Sequence, residues 1–170
     1  DWLSNQRQND AANIQKARSA NNFPNVLLID HRVPHPSLGS GYPRSAHLLN
    51  SIDKLNLNIT FYPLQFPIGD LKETYTTLSS SIEVILEQGR GGFYSFLDSR
   101  KNFYQFIIVS RVHNMEYFKE IAETNPKLIE GSKIIYDAEA LTAPREILHR
   151  QLLHLSASEQ EVEDLIAEEM

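Results

Sequence analysis

One hundred and seventy residues, 41% hydrophobic and 22% charged, suit one globular domain with a core of its own. The absence of cysteine excludes disulfides and thiolate metal sites, and no apolar run approaches the roughly 20 residues of a membrane-spanning helix. The net charge of −6 sits at one end: six acids follow Arg150 with no Lys or Arg among them, and the remaining acids balance the 16 basic residues, so the main body is neutral and gives no electrostatic case for nucleic acid.

No signal-peptide pattern opens the chain, and a cytoplasmic protein is expected. The chain begins at Asp1, and either a piece of something longer or a processed product is expected. Its expected organisation is an N-terminal helical extension over 1–24, a Rossmann-like domain over 25–155 and an acidic terminal helix over 156–170.

Residues 1–24 are polar with scattered Ala and Ile14, which suggests a loosely docked helix and then a loop at Asn21-Asn22-Phe23-Pro24. Val26 to Ile29 is a short, unalternated apolar run that stops at Asp30, the pattern of a strand buried on both faces. A Pro- and Gly-punctuated loop follows and ends in Gly39-Ser40-Gly41. Pro43 suits the first turn of a helix, where its missing N–H would have no partner. That helix is expected to run to about Leu55, with Leu48, Leu49, Ile52 and Leu55 on one face and Arg44, His47, Ser51 and Lys54 on the other.

Asn58 to Leu64 is a second strand, closed by Pro63 and Pro67, and 69–80 suggests a short helix. Ile82 to Leu86 is a third strand. Gly89-Arg90-Gly91-Gly92 reads as a turn, with a small helix over Phe93 to Leu97. Phe106 to Val109 is a fourth strand, and Asn114 to Thr124 a helix with Asn114 as its cap. Ile134 to Tyr136 is a fifth strand. A helical region starts near Thr142, is expected to break near Ser156, and resumes with the capping-box pair Ser158 and Glu161. Strands alternating with helices imply parallel pairing, and the expected fold is an α/β, Rossmann-like three-layer sandwich with a mainly parallel sheet.

In such a sheet ligands bind beyond the carboxyl ends of the strands, where the strand order reverses. Three strands end in polar residues: Asp30-His31-Arg32, Ser110-Arg111-Val112-His113 and Asp137-Ala138-Glu139. If the first, fourth and fifth strands are neighbours, these sets share one rim. Each residue also has a plain structural reading. Asp30 and Asp137 suit hydrogen bonds to loop N–H groups as well as they suit a ligand. Arg32 and Arg111 suit pairing with those carboxylates as well as they suit a phosphate. His113 suits a loop histidine as well as a chemical group. Gly39, Ser40 and Gly41 either serve the turn or let the backbone approach a ligand. No cofactor is implied. The glycines arrive too late after the strand for a dinucleotide fingerprint, there is no Walker lysine, and His31 and His35 lie in a proline-rich loop rather than on a helix face, so no metal site is expected.

Val26-Leu27-Leu28-Ile29-Asp30-His31-Arg32-Val33-Pro34-His35-Pro36, Ile108-Val109-Ser110-Arg111, and Ile134-Ile135-Tyr136-Asp137 with Arg145-Glu146 together resemble the amino-terminal domain of GT-B glycosyltransferases of the group 1 type. The resemblance covers about residues 24–155 and lies in the order and spacing of short motifs. The chain departs from the family pattern at Ser37-Leu38, where an acidic residue is usual, and at Glu139, where aspartate is commoner. The resemblance implies one half of a two-domain enzyme, which takes a sugar from a nucleotide-sugar donor to a sugar or glycan acceptor. This half mainly binds acceptor. By position, Gly39, Ser40 and Gly41 approach the donor phosphates, Arg111 and His113 face the cleft with His113 a candidate contact to the transferred sugar, and Asp137 and Glu139 line the same edge; Arg32, from its place at the strand end, joins the expected substrate-binding residues. The donor-binding half is expected to lie outside this chain, which is then inactive alone, with an open rim near Gly39 and His113. The terminal helix is expected to be undocked or to pair with a second copy. A non-catalytic α/β binding domain and a small nucleotide-binding protein stay as alternatives.

Overall fold

A computed structural model describes residues 11–39, 41–65, 70–138, 147–150, 152–153, 158 and 160–164. Five strands form one all-parallel sheet: β1 (Asn25–Asp30), β2 (Asn58–Pro63), β3 (Glu83–Val84), β4 (Phe106–Ser110) and β5 (Lys133–Asp137), in the order β3-β2-β1-β4-β5. The helices are α1 (Ala11–Arg18), α2 (Gly41–Ile52), α3 (Leu71–Thr77), α4 (Gly89–Ser99) and α5 (Val112–Thr124). The Rossmann-like α/β sandwich read from the alternation of elements is therefore the observed architecture.

Every residue of β1 is buried, because the strand lies at the centre of the sheet with helices on both faces. Successive side chains of a strand point to opposite faces. Leu27 and Ile29 accordingly join Tyr62, Phe93, Phe96, Leu97, Val109 and Phe118 in the core beneath α4 and α5. Leu28 joins Ala46, Leu49, Ile59, Phe61 and Val84 in the core beneath α2. Full burial of one such Leu or Phe contributes about 1.5–3 kcal/mol, so these two cores are the main source of stability. The edge strand β5 is different: Ile134 and Ile135 are 39% and 45% exposed.

Four local expectations are corrected. Gly89 to Gly92 is not a turn ahead of a small helix but the first turn of α4. Burial of Phe93, Phe96 and Leu97 outweighs the glycine penalty, and Tyr62 Oη donates 2.7 Å to the Gly89 carbonyl. A Cβ on Gly92 would stand 2.8 Å from Gln88 Cβ, so this glycine is needed for the approach. Asn114 is not the cap of α5; Arg111 holds that position, and Asn114 Nδ2 donates back to the Ser110 carbonyl at 2.8 Å. Leu55 is 64% exposed because a 3-10 turn over Asp53–Leu55 replaces the end of α2. The third strand is only two residues long.

The Ser158–Glu161 capping box is present: Glu161 N–H donates to Ser158 Oγ at 3.2 Å and Ser158 N–H to Glu161 Oε2 at 2.8 Å. The expected break near Ser156, the helix start near Thr142, and Ser40 and Glu139 of the expected site lie outside the described residues. Among the described residues no helix is long and apolar enough to cross a membrane.

Candidate functional site

The chain runs outward from β1 to β2 and β3, then returns through α4 to place β4 on the other side of β1. The reversal falls between β1 and β4, the position beyond the strand ends at which sheets of this kind bind ligands. Register aligns the tips. Ile29 stands opposite Val109, and Ser110 opposite Asp137. The three polar strand ends thus meet along one rim.

Asp30 is the centre of this rim and is 0% exposed. Its Oδ1 accepts from Arg111 Nε at 2.7 Å and from the His31 N–H at 2.6 Å, and its Oδ2 accepts from Ser45 Oγ at 2.8 Å. A buried carboxylate is tolerable only with partners of this kind. Arg111 comes from a chain position 81 residues away. It lies between β4 and α5 with φ 77° and ψ 144°, a backbone conformation that side chains other than glycine rarely adopt. Its N–H donates to the Asp137 carbonyl at 2.9 Å, and its own carbonyl accepts from Asn114 and Met115 N–H. Those bonds hold the strained residue while the guanidinium reaches Asp30.

Asp137, at the tip of β5, accepts from both terminal nitrogens of Arg44 at 2.9 and 2.7 Å and from Ser110 Oγ at 3.0 Å. Arg44 therefore ties the first turn of α2 across to the far side of the rim. Tyr42 lies between the cations. The Arg111 guanidinium is 4.8 Å from its ring centre and that of Arg32 5.8 Å.

Two histidines meet on this rim. His113 Nε2 and His31 Nδ1 are 3.3 Å apart, with the rings edge to face. Both are held below the ordinary histidine value. For His31 the causes are desolvation first, then the neighbouring His113 and Arg32, against the opposing pull of Asp30. For His113 they are partial desolvation first, then Arg111 and Arg90, again against Asp30. Neighbouring cations thus add to desolvation in depressing both rings.

The sign of the pH dependence follows. A histidine depressed in the fold takes up its proton more readily when unfolded. Stability is then fully present above the unfolded value of about 6.5 and falls as pH drops from there through the lower folded values. Urea midpoints measured from pH 8 to pH 5 should show this fall, and the double substitution H31Q/H113Q should flatten it. An unchanged slope in that variant would place the titration elsewhere.

Gly39 has φ 110°, a value that favours glycine, and a Cβ there would meet nothing within 4 Å. Gly41 is the first residue of α2. Asp30, Arg32, Arg111, His113 and Asp137 stand on the one rim. Sequence reasoning passed over Tyr42, Ser45 and the reach of Arg44. Their place in the first turn of a helix that starts at a strand-end loop was the available clue, because such residues face the strand tips. Among the described residues no group of three or more His, Asp and Glu side chains could hold a metal ion. No protein-family model, no curated protein and no solved structure matches this chain.

Proposed function

We propose that this chain is the acceptor-side half of a nucleotide-sugar-dependent glycosyltransferase of the GT-B, group 1 type. One observation carries the reading: the tips of β1 and β4 lie side by side at the order reversal of a parallel sheet, where Arg111 and the His31 N–H hold the buried Asp30 carboxylate, His31 meets His113, and Arg32 shares the Tyr42 ring with Arg111. Such a rim attracts an oxyanion, and a doubly wound sheet binds its ligand at that place.

In the proposed reaction an acceptor hydroxyl attacks the anomeric carbon of the donor sugar. The bond from that carbon to the diphosphate breaks, and the hydroxyl proton passes to the departing diphosphate or to solvent. The charge that develops on the diphosphate is stabilised by cations and backbone N–H groups. Gly39, where a Cβ would meet nothing within 4 Å, leaves its backbone uncovered for that approach, and His113 contacts the transferred sugar. Exclusion of water from the closed cleft favours capture by acceptor over hydrolysis. The donor is held by a second Rossmann-like half, so this half alone is expected not to turn over.

The test is an assay of the protein at its full natural length with a panel of nucleotide-sugars, followed by release of nucleoside diphosphate. At least one donor should be consumed, and H113A should lower kcat/KM about 100-fold. Absence of release with every donor, or an H113A variant as active as the parent, overturns the proposal. Retained ligand binding without any release would favour a non-catalytic binding domain.

A further inference from the structure

Arg32 is a rim cation with no carboxylate partner among the described residues. It follows β1 by two residues and is half-buried. Its Nε is buried and has no hydrogen-bond partner among the described residues. A guanidinium keeps its proton at any accessible pH, so burial cannot be relieved by neutralisation. A buried donor without an acceptor costs about 1–3 kcal/mol, and such groups are few in native folds.

The nearby carboxylates are already engaged. Asp30, two residues away, takes Arg111, Ser45 and the His31 N–H. Asp137 takes both terminal nitrogens of Arg44 and Ser110 Oγ. Among the described residues no ion pair includes Arg32. The Tyr42 ring, 5.8 Å from the guanidinium carbon, supplies a flat contact and no acceptor there. Arg32 also helps depress His31, as an unscreened cation does.

We infer that Arg32 is the seat of an oxyanion carried by the ligand, a carboxylate or phosphate monoester on an acceptor sugar. The planar guanidinium matches either group, which can bridge Nε and a terminal nitrogen in the paired geometry that makes Arg the residue of choice for both. The assignment to acceptor rather than donor rests on the reading of this half as the acceptor side. The substrate class that follows is an acidic sugar: a uronic acid or a sugar phosphate, in preference to a neutral hexose.

The experiment is a titration of the ¹⁵N-labelled 170-residue protein with D-glucuronate, glucose 6-phosphate, glucose and UDP, following the Arg32 Nε–H resonance. Glucuronate or glucose 6-phosphate should move that resonance, and which of the two binds more tightly identifies the anion. Glucose should leave it in place. In R32Q the affinity for the binding anion should fall about tenfold or more. If R32Q does not fold, the wild-type titration still decides. No movement with any of the three anions overturns the seat. Movement with UDP alone overturns its assignment to acceptor. Failure of the transferase reading is a separate result: a full-length protein that consumes no donor, while Arg32 still responds to glucuronate or glucose 6-phosphate, removes the reaction and leaves the anion seat.

Discussion

Substitution of Arg111 by alanine is expected to lower the unfolding free energy by about 3–5 kcal/mol, because it leaves a buried carboxylate without its counter-charge. Asp30 is fully buried, and the Arg111 side chain is 16% exposed, so water replaces little of the lost partner. Ser45 and the His31 N–H remain, which argues for the lower half of that range. Glycine at the same position is expected to do less harm than alanine. Both lose the ion pair, but alanine keeps the strain of φ 77° and glycine does not. Strain at such a residue is about 1–3 kcal/mol, and the extra freedom of glycine in the unfolded chain takes back about 0.4–1 kcal/mol. R111G should therefore be more stable than R111A by about 1 kcal/mol. Urea denaturation at pH 7 with equal m-values measures both. An alanine variant as stable as the glycine one would show that the backbone at Arg111 is relaxed. R111K should fall between wild type and alanine, because lysine keeps the charge and loses the fixed planar fork.

The second large effect lies at the opposite end of the sheet. Glu83, on β3, accepts from both terminal nitrogens of Arg100 at 2.6 and 2.8 Å and from Thr60 Oγ1 at 2.8 Å, with Arg18 Nε 3.7 Å away. Arg18 also donates to the Ile59 carbonyl at 3.2 Å, so this cluster docks α1 onto the sheet. Burial by itself would raise the Glu83 carboxyl. The hydrogen bonds and charge of Arg100, with Thr60 and Arg18, outweigh it and hold the carboxyl below its ordinary value. Arg100 is only 12% exposed and packs on the Phe96 ring. Its other neighbour, Tyr104, has its hydroxyl pushed up to about 12, chiefly by burial.

Glu83→Ala is expected to cost about 3–5 kcal/mol, since it strands the Arg100 charge in the core margin. The double substitution Glu83→Leu with Arg100→Met should recover most of that loss, because a buried pair replaced by apolar groups is often neutral. The pH sign is opposite in origin to that of the histidines. A depressed carboxyl contributes stability above its unfolded value, about 4.3, and that stability is lost as pH falls through the folded value. Acid unfolding of E83Q should start from a lower plateau and show a shallower fall below pH 4. If the Leu/Met pair is as unstable as the alanine variant, the cost belongs to packing rather than to a stranded charge.

The expected open rim near Gly39 and His113 and the expected behaviour of the terminal helix rest in part on residues outside those described. The described facts are that His113 and Gly39 are exposed and that Leu148, Leu152 and Leu153 are 59%, 78% and 56% exposed.

Local pattern by itself placed the five strands and most of the helices, and from their alternation the sandwich, but it missed the first turn of α4 and overran the two-residue β3. Val26 to Ile29 had to be a central strand, because four apolar residues without alternation bury both faces. The rim was legible to the same extent: Asp30, Arg111 and Asp137 end strands, and strand ends in a parallel sheet lie on one side. What adjacent residues could not reveal was who pairs with whom. Arg111 might have answered Asp30, Asp137 or neither; the order β1-β4-β5 gave it Asp30 and sent Arg44, 93 residues away, to Asp137. The Gly89-to-Gly92 stretch and Asn114 were misjudged for the same reason. The glycine preference is worth about 1 kcal/mol, less than burial of Phe93; Asn114 exchanges a cap bond for an equivalent bond to the Ser110 carbonyl, a partner visible only in the packed molecule.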